Sequence, residues 1–163
     1  MRRSNPPLPC SFSSIDRGAA MWAGIIAGVL ATLAQGVMWW IFIDDILNPL
    51  LRDTQLTAAL VMGEAVLPPP IRFSPGIMIV AAAIHFVLSV FYGMLLAWAI
   101  HRQSWGMSLL TGVVFGLAIY ALNLYGLTLL FPWFTEVRDG ITLAAHLVFG
   151  VAAAGAYQRL ARK

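Results

Sequence analysis

Residues 81–100 read AAAIHFVLSVFYGMLLAWAI and contain no Asp, Glu, Lys or Arg. An α-helix of about 20 residues is long enough to cross the ~30 Å hydrocarbon core of a bilayer. Together with the apolar residues before it, this segment predicts a membrane-spanning helix over residues 76–100. One ionisable side chain, His85, lies inside that span, where such a group is costly and usually faces other helices.

Three further uncharged stretches, residues 20–43, 106–131 and 141–158, also have the length and composition of membrane spans. The chain has 163 residues, of which 60% are hydrophobic and only 10% charged, whereas charged residues make up about 25% of soluble proteins. These features predict an all-α integral membrane protein, a four-helix bundle. Its single transmembrane domain is expected over residues 20–163, behind a tail of residues 1–19.

The basic residues predict the orientation, because Lys and Arg concentrate on the cytoplasmic side of a membrane. Four spans place both termini and the middle loop on one side, which carries Arg2, Arg3, Arg17, Arg102, Arg159, Arg162 and Lys163. The other side carries only Arg52, Arg72 and Arg138. We therefore expect a multi-pass protein with both termini in the cytoplasm. The basic residues form no run with interleaved aromatics, so the expected partner is the lipid bilayer and not nucleic acid.

The first outer loop, residues 44–75, is the only long one. Within it, Asp53 or Thr54 could cap a helix that carries apolar residues on one face. The prolines at 68–70 must end that helix, because proline has no backbone N–H to donate. The pattern predicts a short helix lying on the outer membrane surface.

Small residues recur every four positions in each span, which lets helix backbones approach closely in lipid. The stripe of the second span contains His85, and that of the fourth contains His146 in the same slot. The sequence HFVLSV at 85–90 aligns without gaps to HLVFGV at 146–151. This correspondence predicts two tandem helical hairpins, related by a pseudo-twofold axis along the membrane normal.

Each predicted span carries one strong polar side chain toward its outer half, and the four are Gln35, His85, Asn123 and His146. At ~1.5 Å per residue, the first three should lie about 12 to 14 Å below the outer surface, and His146 about 8 Å below it. Three acids are expected at the outer mouth of the bundle: Asp44, Asp45 and Asp139.

The polar layer allows three interpretations. Neutral imidazoles and amides can hydrogen-bond between helices and fix their packing, which fits a structural or accessory membrane component. Alternatively, the layer could conduct protons or ions, because histidine titrates near neutral pH; four spans would then need a homo-oligomer or a larger complex. In the third interpretation, His85 and His146 are the axial ligands of a b-type haem.

Other chemistry is not indicated. No carboxylate lies within a span, and no GxSxG or HExxH motif occurs, so enzymatic activity is not expected. Two intramembrane histidines are too few for a closed zinc site. The single cysteine, Cys10, excludes an internal disulfide. The first interpretation, a structural or accessory role without a cofactor, is the one that these observations favour.

Several short motifs carry a resemblance. His85-x-x-x-Ser89, SWGMSLLTG at 104–112, FPWF at 131–134 and AAHLVFG at 144–150 resemble small bacterial inner-membrane proteins of the YagU type. The chain is also similar to uncharacterised proteobacterial proteins sometimes labelled sodium:proline symporter, although four continuous spans cannot supply the broken helices of such a symporter. The resemblance implies a bacterial inner-membrane location and a family without an assigned activity.

Overall fold

The computed structural model describes residues 15–161, and this range is helical without strands. The α-helices are α1 (Arg17–Ile43), α2 (Leu47–Met62), α3 (Pro75–Ile100), α4 (Trp105–Ala121) and α5 (Gly140–Leu160). Four of them, α1, α3, α4 with its continuation to Leu129, and α5, are long and apolar enough to cross a membrane. The predicted membrane protein with four spanning helices is therefore confirmed. The tail residues 1–14, including Cys10, lie outside the described residues.

Side chains at the helix starts explain where two of the spans begin. Asp16 accepts a hydrogen bond from the Ala19 backbone N–H at 2.9 Å, and Asp139 accepts one from Thr142 N–H at 2.7 Å. Each carboxylate satisfies a backbone donor that has no partner within the first turn. Asp139 is thus the N-cap of α5.

The four spans form a bundle in which α1 packs along both α3 and α5, and α4 packs along α5. The contact between α3 and α4 is much less extensive. We call the end of the bundle that carries α2 the loop end, and the opposite end the termini end. At the termini end, Gln158 donates to the Ser108 hydroxyl at 2.7 Å, and Ser108 is fully buried.

Small residues lie where the helices of each hairpin touch. A Cβ atom on Gly93 would be 2.7 Å from Gly24 Cα, and one on Gly112 would be 2.5 Å from the Gly150 carbonyl oxygen. Backbone-to-backbone contact of this kind leaves no room for any side chain. Alanines fill the remaining space between α1 and α5.

The helix α2 closes the loop end of the bundle. Its Ala58 packs with Ile77 and Ala81 of α3. The Trp133 indole N–H donates to the Leu56 carbonyl oxygen at 3.1 Å. The buried Gln55 side chain adds hydrogen bonds to the backbone between residues 66 and 72. These contacts hold α2 to α3 and to the connection between α4 and α5.

The predicted start of this helix is wrong. Asp53 and Thr54 lie inside α2, which begins at Leu47. The Asp45 side chain accepts from the Asn48 backbone N–H at 3.2 Å, so an acid further upstream supports the start. The last residue of the helix is Met62, and its C-cap is Gly63, whose φ of 78° favours glycine. Termination therefore comes before the prolines.

Candidate functional site

A cavity of about 530 Å³ lies inside the loop end of the bundle, between the four spans and under α2. All four polar residues predicted from the sequence line it: Gln35, His85, Asn123 and His146. The remaining lining is mostly aliphatic and aromatic. Ligand sites in proteins are commonly apolar cavities of roughly 300–1,000 Å³ with a few convergent polar groups. The polar layer thus surrounds a space of ligand size.

Asn123 joins three helices at one side of the cavity. Its Oδ1 accepts a hydrogen bond from the Tyr92 hydroxyl of α3 at 2.7 Å. Its Nδ2 lies 3.5 Å from Nε2 of His146 in α5. Nδ1 of His146 is 2.8 Å from the Thr142 carbonyl oxygen and must donate to it, which leaves Nε2 as the acceptor in the neutral ring. The Tyr120 ring packs edge-on against this imidazole, with centroids 5.6 Å apart.

The backbone around Asn123 is a π-helix, Leu122–Gly126, that continues α4. A π-helical turn is rare and shifts the hydrogen-bond pattern by one residue. Arg138 stabilises it from outside: Nε donates to the Leu124 carbonyl oxygen at 2.6 Å, and the guanidinium lies 4.4 Å from the Tyr125 ring centroid. The predicted continuous third span therefore departs from α-geometry where it places its polar residue.

His85 is held at the contact between α3 and α1. Its Nε2 lies 3.4 Å from the Thr32 hydroxyl, which itself donates to the Gly28 carbonyl oxygen at 3.0 Å. A Cβ atom on Gly28 would be 2.6 Å from Ser89 Oγ. Gly28 thus gives the imidazole the room to lie against α1.

Asp53 of α2 is the carboxylate that lines the cavity. Its Oδ1 accepts from Arg52 Nε at 3.0 Å, and its Oδ2 lies 3.4 Å from Gln35 Nε2 of α1. Burial raises the pKa of the Asp53 carboxyl to about 6; the Arg52 guanidinium opposes this, and the charge of Asp139 adds to it. Asp53 is the acid in contact with the polar layer.

The three acids predicted at the mouth of the bundle lie outside the cavity lining. Asp44 is the exposed C-cap of α1 with φ 57°, and Asp45 bonds Asn48 at the start of α2. Asp139 caps α5 and influences the site only through its charge on Asp53. None of the three lines the cavity.

The Thr142 hydroxyl stands out within the described residues. Thr142 is only 7% exposed and lines the cavity, yet its Oγ1 has no hydrogen-bond partner. A buried hydroxyl without a partner costs about 1–3 kcal/mol. The hydroxyl oxygen is itself enclosed by protein atoms, so this cost lies within the packed wall of the cavity.

The cavity opens sideways between α1 and α3. Six of its lining residues are also exposed: Val29, Thr32 and Leu33 on α1, and Ala82, Phe86 and Leu88 on α3. Leu33 is 60% exposed. Further toward the loop end, a Cβ atom on Gly36 of α1 would meet nothing within 4 Å, so the helix surface is open there. We call this opening the window.

Toward the termini end the cavity is closed. Ser89, Tyr92 and Phe149 are its last lining residues in that direction. Beyond them come the backbone contacts of Gly24 with Gly93 and the alanine core between α1 and α5. The space is thus a one-sided pocket.

No group of three or more His, Cys, Asp or Glu side chains within residues 15–161 is arranged to hold a metal ion. As for haem, the Nδ1 hydrogen bond of His146 leaves its Nε2 able to act as a ligand, but Nε2 of His85 lies 3.4 Å from the Thr32 hydroxyl at the packed surface of α1. This geometry favours hydrogen bonds to neighbouring helices over axial ligation by both rings.

Sequence reasoning missed three residues of this site: Tyr92, Thr142 as a polar group, and Asp53 as a lining acid. Tyr92 follows His85 by seven residues, and Thr142 precedes His146 by four, so helical periodicity could have placed both on the cavity face. Asp53 had no such signal, because its position depends on where α2 docks.

No protein-family model, curated protein or solved structure matches this chain.

Proposed function

We propose that this membrane protein binds a small, mostly apolar molecule in the cavity at the loop end of its bundle. One observation carries the proposal: polar side chains from four spans surround a space of about 530 Å³ and do not fill it. The apolar lining supports it, because aliphatic and aromatic side chains make up most of the wall around these polar groups. The proposed role is binding without covalent chemistry.

A purely structural or accessory role, favoured by the sequence, has support at one point. The 2.7 Å hydrogen bond from Tyr92 to Asn123 is a packing contact of the kind that stabilises membrane bundles. His85 and Gln35 have weaker partners, at 3.4 Å each. A layer that served packing alone would be closed by its own contacts, so the open space favours a binding role.

Proton or ion conduction has less support. The alanine and glycine contacts beyond Ser89 provide no polar groups for an ion to follow to the termini end. If the chain transports its ligand, the helices must rearrange or a second copy must complete the path. We therefore propose that any transport by this chain alternates between conformations and involves a homo-oligomer or a larger membrane complex.

We further propose a bacterial inner-membrane location with both termini in the cytoplasm, which puts the cavity on the outer side. The excess of basic residues at the termini end supports this orientation. The test is labelling of Asn48→Cys on a Cys10→Ser background with a membrane-impermeant maleimide in intact cells. Labelling before lysis supports the orientation, and labelling only after lysis overturns it.

We also propose that the two hairpins are tandem repeats. In support, Gly28 contacts His85, and Gly116 contacts the backbone of His146. These residues occupy matching positions of the two halves. The halves differ in that Tyr120 packs on His146 whereas Thr32 lies beside His85, and in that α1 packs extensively on α5 whereas α3 packs much less on α4.

The test of the binding function uses two conservative serine replacements on the Cys10→Ser background. Ser89 lines the cavity, whereas Ser108 is buried between helices away from it, and both are under 5% exposed. The neutral reagent N-ethylmaleimide should alkylate Ser89→Cys in membranes and should leave Ser108→Cys unmodified until the protein is unfolded. Equal resistance of both variants would show that the space is closed and would overturn the proposal.

A further inference from the structure

The charges lining the cavity indicate what kind of molecule fits. Of the residues that line it, Asp53 is the one with a full formal charge at neutral pH; Lys and Arg are absent from the lining. Arg52 pairs with Oδ1 of this carboxylate, yet an anionic guest would still enter next to the second oxygen, Oδ2, in a medium of low dielectric constant, which is unfavourable. A neutral or cationic guest has no such cost. This step rests on the proposed binding function.

One carboxylate oxygen of Asp53 can accept further hydrogen bonds. Arg52 binds Oδ1 twice, through Nε at 3.0 Å and a terminal nitrogen at 2.9 Å. The other oxygen, Oδ2, has a single long contact of 3.4 Å to the neutral Gln35 amide. A carboxylate oxygen can accept more than one hydrogen bond, so Oδ2 retains capacity for a donor or a cation.

Aromatic rings supply the second feature of a cation site. Trp39, Tyr92, Phe134 and Phe149 line the cavity together with aliphatic side chains. The faces of such rings attract organic cations, and the interaction is strongest away from water.

The window determines the route of entry. It is framed by apolar side chains of α1 and α3 that are exposed along membrane-spanning helices, and the Gln35–Asp53 contact lies at its loop-end edge. A molecule that partitions into the bilayer can pass through it, whereas an inorganic ion cannot leave water to do so. The guest is therefore expected to be soluble in the membrane.

We propose that the cavity binds a lipophilic organic cation, which enters from the bilayer between α1 and α3 and pairs with Oδ2 of Asp53.

The test compares two probes of matched shape and opposite charge, tetraphenylphosphonium and tetraphenylborate, with the full chain in nanodiscs of zwitterionic lipid near pH 7.5. The cation should bind at least tenfold more tightly than the anion. Asp53→Asn should reduce cation binding about tenfold. The control Asp44→Asn, an exposed acid at the same end that does not line the cavity, should leave it unchanged.

A matched pair of tryptophan variants tests the route of entry between α1 and α3. Ala82→Trp places a bulky ring in the window, whereas Ala83→Trp places it on an adjacent exposed position outside the cavity lining. Slower cation association in the first variant and an unchanged rate in the second support entry between α1 and α3. Equal rates in both variants overturn that route.

The outcomes distinguish failure of the cation inference from failure of the proposed binding function. Equal binding of cation and anion by the unmodified chain overturns the inference, and this comparison requires no variant to fold. If Ser89→Cys is alkylated but neither ion binds, a cavity is present and the cation inference fails. If Ser89→Cys also resists alkylation, the proposed binding function fails with it.

Discussion

Gly28 lies directly against His85: a Cβ atom at Gly28 would be 3.1 Å from the imidazole Nε2 and 2.6 Å from Ser89 Oγ. Glycine at this position allows α1 and α3 to approach and sets the depth of the cavity. A Cβ atom placed on Gly36, two turns further along α1, would have no neighbouring atom within 4 Å. The surface of α1 is therefore tightly packed at Gly28 and open at Gly36.

This contrast predicts opposite effects for two identical substitutions. Gly28→Ala should lower the stability by about 1–3 kcal/mol, because the added methyl group overpacks the helix contact. Gly36→Ala should be neutral or stabilising by up to ~1 kcal/mol, because alanine favours the helix. Thermal unfolding in detergent measures both. Equal midpoints for the two variants would contradict the observed difference in packing.

The hydrogen bond from Tyr92 to Asn123 should contribute a modest energy. Neutral hydrogen bonds between membrane helices are worth ~0.6 kcal/mol on average, and this one is 2.7 Å long. A double-mutant cycle with Tyr92→Phe and Asn123→Ala should give a coupling energy of about that size. A coupling energy indistinguishable from zero would show that the two side chains do not interact.

Arg138 should hold the π-helix of the third span in place. Removing its side chain leaves the Leu124 carbonyl oxygen without the 2.6 Å hydrogen bond, which should cost about 1–3 kcal/mol. Arg138→Ala should therefore lower the unfolding midpoint and increase hydrogen exchange of the Leu122–Gly126 amides. The control is Arg72→Ala, an exposed arginine at the same end. Equal effects of both variants would exclude a specific role of Arg138.

The buried Asp53 predicts how stability depends on pH. Its pKa is about 6 in the folded chain against an ordinary value of 3.8, so the folded state binds the proton more tightly. The free energy of unfolding should therefore fall as the pH rises from about 4 to 6, with little further change above. The groups facing this carboxyl are Arg52 from its own helix, Gln35 from α1 and Asp139 at the start of α5.

Asp53→Asn keeps the shape of the side chain and removes its titration. The variant should lose this pH dependence and should be the more stable protein above about pH 6. Unfolding midpoints measured at several pH values test both statements. The same slope in the variant and the parent chain would assign the effect to another group.

The closed termini end predicts that the isolated chain is not a proton channel. Liposomes containing it should show no more proton flux than empty liposomes between about pH 5 and 8, because alanine and glycine contacts separate the cavity from the buried Gln158–Ser108 pair at the termini end. His85→Asn and His146→Asn should then change stability by about 1 kcal/mol or less. Flux that both substitutions abolish would favour the conduction interpretation over binding.

Much of the fold follows from local properties of the sequence. Helices of about 20 apolar residues must satisfy their backbone hydrogen bonds internally in lipid, so the four spans could be located from length and hydropathy. Their observed bounds differ by a few residues because caps such as Asp16 and Asp139 set the ends. The π-helix in the third span could not be predicted in this way. Its Leu124 carbonyl oxygen accepts a hydrogen bond from Arg138, which is 14 residues further along the chain.

The sequence by itself determined four membrane spans and the one polar residue that each contributes at the loop end, because hydropathy and helical periodicity act within a single helix. Only the tertiary structure decided that these residues surround a cavity and that Asp53 is the acid that enters it. The position of α2 depends on contacts between distant residues, such as Trp133 with the Leu56 carbonyl oxygen. The close contact of α1 with α3 at Gly28 likewise depends on two helices at once, because the glycine faces His85 and Ser89 of the other span.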